Sequence, residues 1–333
     1  MNYTIAKGLL PEFLLSLKKE FKVLAPALNP TGAVSFQLFE GQQLVLGKKP
    51  DFSPKLFFRP AKEKIFSFEK KGSAVETKEA FDETKKLIFG IRPCDTHALH
   101  ALDELFIRYF GDDQFYTRHR KNAVLVALQC NESCENGFCT SLGTSQPIGH
   151  DLLFIERGND FFVKPITEKG KKLLGSGLFK PCKDAEPSSK IECKKQLETK
   201  NLGENLYANF NHPIWKQEAE RCLSCSSCTQ ICPTCYCYFT DDEFVFGSDS
   251  ESGRSRFLDS CQLQRFTRVA GNHVFRQSRA ARLRQFVLHH LHYYQHSHGL
   301  QLCIGCGRCI DVCPVKIDLV KIANTIQKDA VKK

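Results

Sequence analysis

Apolar positions along this chain follow two different periods. The runs AVSFQLF (33–39), KLIFGI (86–91) and AVLVAL (123–128) are short, nearly continuous and rich in β-branched or aromatic residues, which predicts strands. DLLFIERGNDFFVKPI (151–166) reads as a hairpin turning at the GND of residues 158–160. DTHALHALDELFIRYF (95–110) places Ala98, Leu102, Leu105 and Tyr109 on one helical face, with Asp95 available as N-cap. Beyond residue 200 the helical period dominates, in CQLQRFTRVAGNHVF (261–275), SRAARLRQFVLHHLHYYQ (278–295) and IDLVKIANTIQKDA (317–330). The predicted class is α+β. An N-terminal α/β-type domain spans residues 1–180 and a Lys-, Ser- and Pro-rich linker spans 181–201. An α-helical domain of ferredoxin-like type spans 202–325, and 326–333 form a tail. Cys182 and Cys193, in the linker, read as bystanders.

Composition narrows the class. A hydrophobic content of 42% over 333 residues supports packed cores and excludes a disordered chain. No apolar run approaches the roughly 20 residues of a membrane span. MNYTIAKGLLPEFLLSLKKE has helically spaced apolar positions and no small-residue cleavage site, so a cleaved signal is not expected and the predicted address is the cytoplasm. Seventeen cysteines in such a chain point to metal or redox chemistry, and the odd number argues against complete disulfide pairing. A net charge of +10 allows nucleic acid, an anionic membrane surface or an acidic protein partner such as a small electron carrier.

The cysteine spacing decides among these. Cys222, Cys225, Cys228 and Cys232 form C-x2-C-x2-C-x3-C followed by Pro233, and Cys303, Cys306, Cys309 and Cys313 repeat it before Pro314. This spacing holds [4Fe–4S] clusters, with the fourth cysteine of each motif serving the other cluster. Cys222, Cys225, Cys228 and Cys313 are therefore expected to hold one cluster, and Cys303, Cys306, Cys309 and Cys232 the second. Zinc, the alternative for thiolates, uses pairs of ligands and has no need of the third cysteine or the Cys-Pro. Backbone amides near Gly305 and Gly307, and the hydroxyls of Ser224, Ser226 and Ser227, are candidate donors to sulfur.

About seventy residues separate the motifs, largely with helical patterning, which resembles the α-helical ferredoxin fold. No lysine occurs from Gln217 to Val315, while arginine recurs at 254, 256, 265, 268, 276, 279, 282 and 284. Arginine there fits braced helices and compensation of anionic clusters; without a recognition motif it does not indicate nucleic acid. His289, His292 and His296 share a face if helical, which reads as a surface or interface stripe before a metal site. Cys235, Cys237 and Cys261 read as packing beside a cluster, with extra ligation the alternative. Cys94, Cys130, Cys134 and Cys139 follow predicted strands and can meet at strand ends, where four thiols suffice for a third cluster; buried structural cysteines are the competing reading.

GIRPCDTHAL, the Phe138-Cys139-Thr-Ser-Leu-Gly-Thr block, RCLSCSSCTQICPTCYCY, RFLDSC…FTRVAGNHVFR and CIGCGRCIDVCPVKIDL together resemble the iron–sulfur β subunits of cytosolic NAD(P)-linked [NiFe] hydrogenases, or sulfhydrogenases. The corresponding iron–sulfur subunit of anaerobic sulfite reductase is similar to the same pattern. The resemblance implies a non-catalytic electron-transfer subunit. It would relay electrons between a flavoprotein resembling ferredoxin–NADP reductase, which carries FAD, and a catalytic partner. That partner is a hydrogenase small and large subunit pair or, alternatively, a sirohaem sulfite reductase subunit. A remote alternative is a basic nucleic-acid-binding or redox-sensing protein; nucleic acid and membrane are not the expected partners. In the family the loop before Thr140 reads Cys-Phe-Cys, whereas here Gly137 stands first, leaving Cys134 to compensate. No G-x-G-x-x-G follows a strand, so no flavin or nicotinamide site is expected on this chain.

Overall fold

Twelve strands among the described residues build two sheets. They are β1 (Asn2–Ala6), β2 (Lys22–Leu28), β3 (Val34–Leu38), β4 (Lys62–Lys71), β5 (Ala74–Glu79), β6 (Lys86–Ile91), β7 (Ala123–Leu128), β8 (Leu152–Arg157), β9 (Asp160–Pro165), β10 (Lys180–Cys182), β11 (Tyr238–Glu243) and β12 (Gly253–Leu258). The structure is a computed structural model, and it describes residues 1–71, 73–188, 190–245 and 252–331. The larger sheet runs β10-β1-β9-β8-β7-β6-β2-β3. Its centre, β2, β6, β7 and β8, is parallel, and antiparallel strands close both edges. The predicted hairpin is β8–β9, and the predicted strands are β3, β6 and β7.

β6 and β7 are buried at every position, as parallel strands covered on both faces must be. Leu87 and Phe89 enter one core with Phe13 and Leu14 of α1 (Leu10–Ser16). Ile88 and Ile91 enter the other, with Leu99 and Leu102 of α2 (Pro93–Asp103) and Tyr116 of α3 (Gln114–Lys121). Each such fully buried side chain contributes roughly 1.5–3 kcal/mol. Asp95 does not cap α2. Arg92 stands at the N-cap, Pro93 takes the first turn, where its missing N–H is harmless, and Asp95 is buried inside the helix. A π-helical turn at Glu104–Tyr109 then rotates the predicted face, so that Phe106 is buried while Tyr109 is exposed.

The C-terminal half has its own core. α4 (Glu168–Lys172) precedes it; α5 (Leu202–Ala208), α6 (Ile214–Arg221), α7 (Ser227–Ile231), α8 (Arg279–Leu288), α9 (Tyr294–His298), α10 (Arg308–Asp311) and α11 (Leu319–Val331) belong to it. Leu206, Trp215, Val287, Leu291 and Ile322 are central in this core. Residues 261–275 are not the expected helix. Gly271 and Asn272 adopt left-handed conformations, and Arg268 and Val274 pair across the resulting turn. The helical region also contains the hairpin β11–β12, and β12 pairs with β4 to form the smaller sheet, β11-β12-β4-β5. The cysteine-rich region is thus tied to the first half through a shared sheet, and through Tyr294, whose Oη donates to the Ala101 carbonyl at 2.9 Å. No helix among the described residues is long and apolar enough to cross a membrane.

Candidate metal centres: three thiol-lined cavities in a row

The two motif loops arrive on short helices with glycine or serine in the left-handed region before them. α7 follows Ser226 (φ 67°) and α10 follows Gly307 (φ 75°). Each loop bends its cysteines around a cavity. The first is lined by Cys222, Cys225, Cys228 and Cys313, with Leu283, Phe286 and Val287 as its apolar wall. The second is lined by Cys303, Cys306, Cys309 and Cys232. The fourth cysteine of each motif thus stands in the cavity of the other.

Cys94, Cys130, Cys134 and Cys139 line a third cavity. Cys94 lies just beyond β6 and Cys130 just beyond β7, so the carboxyl ends of two parallel strands deliver them. Adjacent cavities share a wall residue, Cys309 between the first and second and Cys306 between the second and third.

The close approach of the last two depends on glycine. A Cβ at Gly305 would stand 2.7 Å from the Cys139 backbone, and one at Gly307 would stand 2.3 Å from the Asn136 carbonyl oxygen. The Phe138 amide donates to the Gly305 carbonyl at 2.8 Å, fixing the contact. At Gly137 a Cβ would lie 3.1 Å from Cβ of Cys134. A thiol from either position therefore reaches the same side of the cavity.

The spread of the thiols tests what such sites can hold. One zinc binds sulfur at about 2.3 Å, so its ligands cannot stand farther than about 4.6 Å apart. Among the described residues, three ligand atoms come within 4.8 Å of one another only at Cys232, Cys235 and His290. Among those residues no three thiols around a cavity are that close. An all-thiol set spread over a cavity suits the separate iron corners of a cubane.

Hydrogen bonds to sulfur are already in place. Ser227 Oγ lies 3.3 Å from Cys225 Sγ, Thr234 Oγ1 lies 3.3 Å from Cys232 Sγ, and the Ile317 amide donates to Cys313 Sγ at 3.2 Å. The Ser227 contact lowers the Cys225 thiol pKa, whereas burial pushes Cys228 up to about 12. Ser224 points its hydroxyl to Arg282 instead, accepting at 3.2 Å.

The remaining cysteines separate. Cys235 Sγ is 3.3 Å from His290 Nε2, and Cys237 is hydrogen-bonded to Cys261, which lowers the Cys237 pKa to about 7. None of the three lines the first, second or third cavity, although Cys235 touches His290, which lines the second. Cys193 is not remote from the chemistry, since its Sγ is 3.6 Å from that of Cys139. Cys182 ends β10 and accepts from the Asp184 amide. His289, His292 and His296 do not converge, because the π-helical turn His289–Tyr293 turns His289 toward Tyr236, while the rings of His292 and His296 stack on each other. Sequence reasoning missed Lys49, Lys55, Asp95, His290 and Arg308, all buried or lining the sites. Arg308 lies between two motif cysteines and Asp95 follows Cys94 in GIRPCDTHAL, and those positions were the available signals.

Residues 221–317 match the family model of the 4Fe-4S dicluster domain. The chain is 31% identical over 332 residues to sulfhydrogenase 2 subunit beta of Pyrococcus furiosus, covering 96% of both proteins. It is 25% identical over 179 residues to the F420-dependent formate dehydrogenase subunit beta of Methanocaldococcus jannaschii, covering 50% of this chain and 38% of that protein. No solved structure matches it. Near-complete coverage at that identity, with the dicluster domain lying over the two thiol motifs, means that this chain belongs to the family of iron–sulfur beta subunits of sulfhydrogenases.

Proposed function

We propose that the protein relays electrons through three iron–sulfur sites between two partner subunits and performs no catalysis of its own. The observation that carries this is the row of three cavities in which neighbours share Cys309 and Cys306. Cys222, Cys225, Cys228 and Cys313 would hold one [4Fe–4S] cluster, Cys232, Cys303, Cys306 and Cys309 the second, and Cys94, Cys130, Cys134 and Cys139 the third. When bound, such a group supplies reversible one-electron storage.

The chain's own residues do the rest. Glycines 305 and 307 let two sites approach, Phe286 and Leu319 keep water from the first two cavities, and Ser227, Thr234 and the Ile317 amide stabilise thiolate charge. Both ends of the row reach solvent. Cys225 is exposed at the first site, and the third borders an open cavity that Cys130 and Cys134 also line. A relay needs both openings.

The family supports a cytoplasmic setting, an FAD-bearing flavoprotein resembling ferredoxin–NADP reductase at one end, and hydrogenase subunits at the other. The similarity to a formate dehydrogenase beta subunit over half of the chain supports a relay module that is not specific to hydrogen. A sirohaem sulfite reductase is the alternative catalytic partner. The test is iron and sulfide analysis with EPR of the anaerobically purified, reduced protein. About twelve irons and three interacting signals are expected; a colourless, zinc-loaded protein would sink the proposal. Nickel against sirohaem absorbance in co-purified partners decides the complex.

A further inference from the structure

The loop between β3 and β4 sends two lysines into the cluster-motif backbone. Lys55 is 4% exposed, and its Nζ donates to the carbonyls of Gln230 (3.3 Å), Cys232 (2.7 Å) and Cys235 (3.2 Å). Lys49, whose side chain is 7% exposed, donates to the Cys306 carbonyl and lies 3.4 Å from the Asp311 carboxylate. The loop is held on both sides of Lys55. The Pro50 carbonyl accepts two bonds from Arg308, and Phe58 and Arg59 are buried.

Three carbonyls use all three donors of the Lys55 ammonium but carry no net charge. Among the described residues no carboxylate lies within ion-pairing distance of it. A buried charge without a counter-ion is strongly unfavourable. The net negative charge available at this place is the thiolate set of the second cavity, to which Cys232 belongs. A cubane held by four thiolates is anionic and becomes more so on taking up an electron.

We propose that Lys55 is the fixed counter-charge of the second site and raises its reduction potential. This rests on the relay reading above. The positive charge of Lys55 favours the reduced form because that form is the more negative. Lys55 acts through the carbonyls and the field at the thiolates, so it is a positioning residue.

The experiment compares Lys55→Gln, which keeps N–H donors and loses the charge, with Lys55→Arg, which keeps both. Each is measured for iron per chain and by EPR-monitored redox titration. The wild-type measurement comes first, and absence of iron–sulfur signals there would refute the relay reading rather than this one. Lys55→Gln should move one cluster to a more negative midpoint, with at least a tenfold lower reduced-to-oxidised ratio at fixed potential, about 59 mV for one electron. Lys55→Arg should stay near wild type. Iron lost in Gln but kept in Arg also supports the charge. An iron-replete Gln variant with an unmoved midpoint, or iron lost equally in both variants, would overturn it.

Discussion

Arg308 and Asp95, 213 positions apart in sequence, form a bidentate ion pair with contacts of 2.6 and 2.8 Å. Their side chains are 1% and 0% exposed. Arg308 sits between Cys306 and Cys309, and Asp95 follows Cys94, so the pair bolts the second motif to the helix that carries a third-site thiol. Arg308 also donates twice to the Pro50 carbonyl, which leaves its buried fork well satisfied. Arg308→Met would strand a buried carboxylate. The expected loss is about 3–5 kcal/mol in chemical denaturation, with Arg308→Lys intermediate because one ammonium cannot reproduce the fork.

Cys134 is expected to do the work of the thiol that the family places at residue 137. Cys134→Ala should lose about four irons. Adding Gly137→Cys to that variant should restore them, since the new Cβ would stand 3.1 Å from the Cβ that residue 134 keeps and would offer its thiol from the same place. Full iron content in Cys134→Ala would remove Cys134 from the third site.

Gly305 has φ of +67° and no room for a methyl group beside the Cys139 backbone. Gly305→Ala should cost at least about 1–3 kcal/mol from strain alone. It should also loosen the second and third sites together while sparing the first. Site-resolved EPR of the variant is the measurement.

Cys225 and Cys306 differ in position along the row. Cys225→Ser should empty or convert the first site only, whereas Cys306→Ser should also disturb the third, whose wall it forms. Iron content unchanged in both, with undiminished electron transfer to the partner, would end the iron–sulfur reading.

His289 supplies a pH dependence. Burial, and then the neighbouring His290, lower its pKa to about 4 from an ordinary value of about 6.5. Between those values the unfolded chain binds the proton and the folded chain does not, so stability falls as pH drops from about 6.5 toward about 4. Denaturation midpoints at pH 7 and pH 5 should differ less in His289→Leu than in the wild type. An unchanged difference would count against a buried neutral imidazole.

The motif cysteines and the central strands were legible because their signals are local. Spacing within Cys222–Cys232 and Cys303–Cys313 is a property of a few consecutive residues, and β6 and β7 are apolar at nearly every position. The hairpin β11–β12 was not legible. β11 ends in three consecutive acidic residues and β12 begins Gly-Arg-Ser-Arg, so neither shows the apolar alternation of a strand, and the pairing of β12 with β4 joins segments far apart in the chain. The helix expected over 261–275 failed because Gly271 and Asn272 favoured a left-handed turn over the apolar period.

Sequence alone determined that the chain carries two [4Fe–4S]-type motifs and an α/β half, since short-range spacing and periodicity encode both. Only the tertiary structure decided that Cys94, Cys130, Cys134 and Cys139 share one cavity, that Cys193 lies against Cys139, and that Lys55 and Asp95 serve the motifs. Those relationships join positions far apart in the chain, 54 for Cys139 and Cys193, 177 for Lys55 and Cys232, and 213 for Asp95 and Arg308. Packing and the pairing of buried charge select them, and neither leaves a periodic trace in the order of residues.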